Sequence, residues 1–100
     1  MSVVVVATIV PKEGRKDELV EIYANAAPRV HDEAGCELYA IHTTRHHVVI
    51  IEKWTDMDAL KAHGEGPALA ETRPRTKDLQ DSTEVVVLRP HPEGSGKGAL

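Results

Sequence analysis

The sequence contains no phenylalanine, and its 100 residues carry three aromatic side chains: Tyr23, Tyr39 and Trp54. Any core must therefore be assembled from Val, Ile, Leu and Ala. There is a single cysteine, Cys36, which excludes an internal disulfide or a thiolate metal site and fits a reducing compartment. Beside Gly35 at a strand start, it reads as a small buried hydrophobe. No apolar run approaches the ~20 residues of a membrane span, and Met1-Ser2-Val3 lacks the basic start of a secretory signal, so a cytoplasmic location is expected. Positive charge is also short. Twelve basic residues face 16 acidic ones, for a net charge of -4, which argues against broad electrostatic capture of nucleic acid or membrane. No Gly-x-Gly-x-x-Gly is present to hold a dinucleotide. The stretch Gly94-Ser95-Gly96-Lys97 fails as a phosphate loop, because His91 stands at the first glycine position and Gly98 replaces the Ser/Thr. What is present, 41% hydrophobic and 28% charged residues, suits one folded domain with one modest core.

Val3 to Val10 is β-branched and apolar on both parities, the mark of a strand buried on both faces. Beyond Pro11 and Gly14 the period changes. Leu19, Ile22, Tyr23, Ala26 and Val30 recur at helical spacing, with Lys16, Asp17, Glu18, Glu21 and Asn25 opposite. Pro28 is expected to kink or break the last turns of this helix, and Gly35 to follow its end. Cys36–Thr43 and His47–Thr55 read as a hairpin around Thr43-Thr44-Arg45-His46. Thr55 or Asp56 caps a short helix from Met57 to His63, which Gly64 to Pro67 ends. Pro67 opens another helix through Thr72, with Pro74 expected to interrupt it. Glu84 to Leu88 is a last strand, and residues 90–100 form a flexible tail beyond a domain of residues 1–89.

The order strand, helix, strand, strand, short helices, strand predicts an α+β, ferredoxin-like antiparallel four-stranded sheet with helices on one face. Strands one, three and four are apolar on both parities, so the second face needs a cover. The chain has no spare element for it. The same face of a second copy is the economical solution, giving a two-fold dimer.

Chemistry can be sought in few places. Glu52 and Trp54 share one side of the third strand with Val48 and Ile50, and His63 closes the following helix. A carboxylate, an indole and an imidazole so close together can make a pocket with a base and an apolar wall. A plain structural reading competes: a core Trp, a solvated Glu, and a His set against its helix's last carbonyls. His42, His46 and His47 span the predicted turn without a carboxylate or thiolate at ligand spacing, so no metal site is expected.

The segment Glu33-Ala34-Gly35-Cys36-Glu37-Leu38-Tyr39 resembles the Glu-Pro-Gly-Cys-x-x-Tyr segment of the antibiotic biosynthesis monooxygenase domain family. Glu52-Lys53-Trp54, Ala59-Leu60 and His63 are similar to that family's Glu-x-Trp, Ala-Leu and His pattern. The resemblance covers residues 2 to 89 and implies a ferredoxin-like fold paired into a dimeric α+β barrel. It implies a cofactor-free monooxygenase that oxidises a small quinol, phenolic or polyketide-like aromatic with dioxygen. His63 would serve as base or anion stabiliser, Glu52 would orient it, and Trp54 would wall the substrate. Tyr39 would donate a hydrogen bond if it faces the cavity, which strand parity alone does not decide. Arg73 would pair with an anionic substrate. The family's haem-degrading branch needs a first-strand asparagine that is absent here, and its iron-binding histidine falls near Arg73, so haem is not expected. The asparagine of the anthrone-oxidising members falls at Ile50. The same fold also admits a non-catalytic small-molecule-binding dimer, a stress-responsive barrel protein, or an isomerase.

Overall fold

The valine run forms β1 (Val3–Pro11), one of the two inner strands of an antiparallel four-stranded sheet. In the computed structural model, which describes residues 1–100, β1 is followed by α1 (Lys16–His31), β2 (Cys36–Thr43) and β3 (Val48–Trp54). Then come α2 (Met57–Glu65), α3 (Pro67–Thr76), a short 3-10 turn, and β4 (Gln80–Leu88). The antiparallel strand order is β2-β3-β1-β4, the expected ferredoxin-like α+β sheet.

Side-chain alternation sets the core. Val3, Val5, Ala7 and Ile9 of β1 and Val48, Ile50, Glu52 and Trp54 of β3 are buried on one face. Leu19, Tyr23, Ala26 and Val30 of α1 are buried as well. Antiparallel register aligns Tyr39 with Glu52 and Glu52 with Val5, and the next row aligns Ile41 with Ile50 and Ala7. Cys36 pairs with Trp54 and Leu38 with Lys53, leaving Glu37 as the extra residue of a bulge. The bulge matters because Cys36 and Tyr39 have opposite parity. It puts Tyr39 on the helix side, where it is buried.

Neither internal proline ends its helix. α1 continues through Pro28 to His31, and α3 continues through Pro74 to Thr76. Each proline deprives one carbonyl, four residues earlier, of its donor. Those residues, Ala24 and Ala70, are exposed, as are the prolines, so water can serve the freed carbonyls. Buried Ala26 and Val30 bracket Pro28, and buried Thr72 and Thr76 bracket Pro74. Packing therefore carries both helices past the break. Likewise α2 passes Gly64 and ends at Glu65. Its start matches expectation: Asp56 Oδ1 accepts the Ala59 N–H at 2.8 Å. β4 begins four residues earlier than the valine run suggests, with Gln80 opposite Pro11.

The helices stop short of β4. All of its residues from Asp81 to Leu88 are exposed, including Val85 and Val87 on the helix side and Val86 and Leu88 on the other. Within one chain, then, the last strand is not buried on either face. Residues 90–100 return to one end of the open face, where Lys53 Nζ donates to the Leu100 carbonyl at 2.6 Å. No helix is long and apolar enough to cross a membrane.

Gly35 fixes the junction between α1 and β2. Its φ is +83°, and a Cβ there would lie 2.6 Å from Ala59 Cβ and 2.7 Å from Thr55 Oγ1. Gly35→Ala should lower stability by about 2–4 kcal/mol, combining left-handed strain with overpacking. A urea midpoint equal to that of the wild type would refute this.

Candidate active site

Glu52 occupies a position on β3 whose neighbours on that face, Ile50 and Trp54, are apolar, and it is itself buried. A buried carboxylate must find partners. The nearest comes from its own strand: Trp54 Nε1–H donates to Glu52 Oε1 at 2.9 Å. The two residues lie on one face because of the two-residue strand repeat. Trp54 is fully buried, and its indole forms the platform for the third member of the group.

That member is His63, in the last turn of α2. Its imidazole stacks on Trp54 with ring centroids 4.5 Å apart and planes 29° apart. Nδ1 lies 2.6 Å from Glu33 Oε1, a residue of the turn between α1 and β2. Nε2 lies 3.7 Å from Glu52 Oε1, too far for a hydrogen bond. Tyr39 presents its ring edge-on to His63 at 5.8 Å. His31 Nε2 lies 2.9 Å from the Tyr39 carbonyl and holds that strand residue from outside.

These groups border a cavity of about 370 Å³ between sheet and helices. Ala7, Ile9 and Ile50 form its apolar floor, with Leu69 and Tyr23 beside them. Tyr39, Glu52 and His63 supply its polar wall, and Arg73, Gln80 and Thr83 lie around its rim. Every fully buried side-chain polar atom in the protein has a partner. His63 Nε2 has none within hydrogen-bond distance, so it is one of the atoms open to the cavity.

Burial pushes the Glu52 carboxyl above the usual range, and the charge of Glu33 adds to this. The Trp54 hydrogen bond and His63 oppose it. Burial also raises the Tyr39 phenol, with the nearby Glu52 charge contributing. Tyr39 therefore stays protonated at neutral pH and is a hydrogen-bond donor. Tyr23 is raised by burial too. The Cys36 thiol is only half-buried, and it is raised by desolvation and by Glu33.

Four of the residues singled out from the sequence, His63, Glu52, Tyr39 and Arg73, meet at this cavity. Trp54 does not line it. Its indole stacks on the His63 imidazole. Glu52 does not hydrogen-bond His63 either; Glu33 does. Arg73 Nη2 donates to the Gly64 carbonyl at 2.8 Å, so its guanidinium is partly committed to the end of α2. Glu33 opens the Glu-Ala-Gly-Cys segment, yet nothing local in the chain gives it a role. The one available signal was the glycine two residues later, which turns the chain back toward α2.

The family model for antibiotic biosynthesis monooxygenases matches residues 2–75. The chain belongs to the antibiotic biosynthesis monooxygenase family. Glu33, Tyr39, Glu52, Trp54, His63 and Arg73 all fall inside the matched segment, whereas β4 falls outside it. No curated protein matches the chain. Among solved structures, Rv0793 from Mycobacterium tuberculosis is similar with a TM-score of 0.86 at 23% identity, covering 95% of this chain and 100% of that one. SO0527 from Shewanella oneidensis has a TM-score of 0.80 at 28% identity, covering 86% and 87%. A protein described as an antibiotic biosynthesis monooxygenase has a TM-score of 0.82 at 23% identity, covering 90% and 99%. These likenesses establish the fold of this family member, and its chemistry must be argued from its own side chains.

The raised Glu52 carboxyl has a measurable consequence. Glu52 holds its proton more tightly folded than unfolded. Its contribution to stability is therefore present at low pH and is lost as pH rises from the ordinary carboxylate range through the raised folded value. Glu52→Gln keeps an acceptor for Trp54 and removes this loss. Urea denaturation from pH 4 to pH 8 should show the wild type weakening relative to the variant, and parallel curves would contradict the assignment.

Proposed function

We propose that this protein is a cofactor-independent monooxygenase that oxidises a small quinol, phenolic or polyketide-like aromatic with dioxygen. The observation that carries the reading is His63 Nε2: a ring nitrogen without a protein partner, at the wall of a largely apolar cavity of about 370 Å³. An unpartnered imidazole nitrogen can accept a phenolic proton. The protonated Tyr39 phenol can donate a hydrogen bond to the resulting anion. The apolar floor excludes water from the reaction. Arg73 at the rim adds positive charge for an anionic substituent.

The chemistry balances without an added reductant. The substrate anion gives one electron to dioxygen, and the resulting radical and superoxide combine at a ring carbon. Loss of water then leaves a quinone carrying one oxygen atom from dioxygen; the other leaves in the water. The substrate supplies all the electrons, so the protein contributes a base, an anion-stabilising donor and a dry cavity. Ile50 on the cavity floor replaces the family asparagine of the anthrone-oxidising members, and favours a substrate that needs no amide contact there.

The working form in this proposal is a homodimer closed into an α+β barrel, in the reducing cytoplasm that a lone cysteine suits. Its support is β4, whose Val85, Val86, Val87 and Leu88 are exposed on both faces. An uncovered apolar edge strand of this kind invites pairing. The same feature suits a dimer that only binds small molecules, so catalysis needs its own test.

Oxygen uptake should be measured with a panel of hydroquinones. Turnover is expected, and His63→Ala should reduce it by about 10²-fold or more. A variant with full turnover would remove His63 from the chemistry, and no uptake across the panel would favour the binding dimer. Sedimentation should give twice the 10.9 kDa chain mass, and a monomer would overturn the barrel pairing.

A further inference from the structure

We propose that Glu33 is the positioning residue of His63: it accepts the Nδ1 proton, and so makes Nε2 the lone-pair nitrogen that faces the cavity. As a claim about catalysis this rests on the monooxygenase reading. As a claim about which ring nitrogen carries the proton it stands by itself.

The contact is short and one-directional. Glu33 Oε1 lies 2.6 Å from His63 Nδ1, and a carboxylate can only accept, so Nδ1 must donate. An unconstrained neutral imidazole favours the opposite tautomer, with the proton on Nε2. Some group must therefore select Nδ1–H, and the other candidate does not reach. Glu52 Oε1 is 3.7 Å from Nε2 and already accepts from Trp54 Nε1. Stacking on Trp54 fixes the ring plane but cannot tell one nitrogen from the other. Only Glu33 makes that distinction.

The position of Glu33 is built by two close approaches that glycine permits. Gly35, at φ +83°, lets the turn press against Ala59 and Thr55, and its carbonyl accepts the Thr55 N–H at 2.9 Å. At the junction of α2 and α3, a Cβ on Gly66 would stand 3.1 Å from Glu33 Oε2. The turn after α1 is thus held against the helix that carries His63. Glu33 does not line the cavity, and any effect it has on a substrate passes through the imidazole.

The consequence for reaction is electrostatic. When a substrate hydroxyl gives its proton to Nε2, the ring becomes an imidazolium with a carboxylate already on its far nitrogen. No group has to move to stabilise the new charge.

The test is nitrogen NMR of the uniformly ¹⁵N-labelled full chain, at a pH where the His63 ring is neutral, combined with steady-state oxygen uptake. The wild type should show a protonated Nδ1 and an unprotonated Nε2. Glu33→Ala should move the proton to Nε2 and lower kcat by about 10²-fold, with KM changed by less than about threefold. Glu33→Gln, whose amide oxygen can still accept from Nδ1, should keep the wild-type tautomer and recover part of kcat. A wild-type spectrum with the proton on Nε2 would assign the orienting role to Glu52 and overturn the proposal. So would an unchanged tautomer in Glu33→Ala. The wild-type spectrum decides the tautomer even if the alanine variant fails to fold. An absence of oxygen uptake by the wild type would defeat the monooxygenase reading and leave the tautomer result intact.

Discussion

A carboxylate on the buried face of a sheet is the constraint around which this site is arranged. Glu52 sits where an aliphatic residue would complete the core, and removing an ionisable group from water is costly unless neighbours compensate. The Trp54 indole N–H compensates from the same strand. His63 stands over both residues, and Glu33 holds its far nitrogen. Each partner has its own structural requirement. The indole needs complete burial, the imidazole needs a helix that begins at the Asp56 cap and ends beside the sheet, and Glu33 needs a glycine-tightened turn. The turn after α1 is thereby tied to the β3–α2 segment at one point.

The same packing leaves room beside it. Ala7 and Ile50, in the row next to Glu52, line a cavity together with Leu69 and Tyr23. It runs toward β4, the strand that the helices leave uncovered, with Thr83 and Val85 on its border. The uncovered strand and the cavity mouth are therefore one feature of the fold. A partner that covered the valines of β4 would also change access to the cavity, which links the proposed dimer to the proposed chemistry.

Family membership sets the fold, while the particular side chains carry the argument for the proposed chemistry. Ile50 takes away an amide from the floor, and Arg73 brings a cation to the rim. Glu33 and Glu52 place carboxylates on both sides of His63. Few of these could be assigned a task by residue type alone, because Glu is mostly a solvated surface group and His is intermediate in burial.

Much of the architecture was legible from the chain alone. The valine runs, the helical spacing of Leu19 to Val30 and the Asp56 cap determined four strands, the helices and their order, because side-chain periodicity is a local property. Strand parity alone put Glu52 and Trp54 on the same face as Val48 and Ile50. That the helices run on past Pro28 and Pro74 could not be read locally, since propensity knows nothing of the packing that carries them. Tyr39 could not be placed by parity, because the bulge at Glu37 is set by pairing with β3. Trp54 stacks on His63 and does not itself line the cavity, a placement that parity does not give. The role of Glu33 was invisible for the same reason: its partner lies 30 residues away, and only folding brings the turn after α1 against the end of α2. Sequence determined which groups were available and which face the β3 residues would take. Tertiary structure alone decided which carboxylate holds the imidazole and which nitrogen is left free, because hydrogen bonds depend on distances that no local pattern encodes.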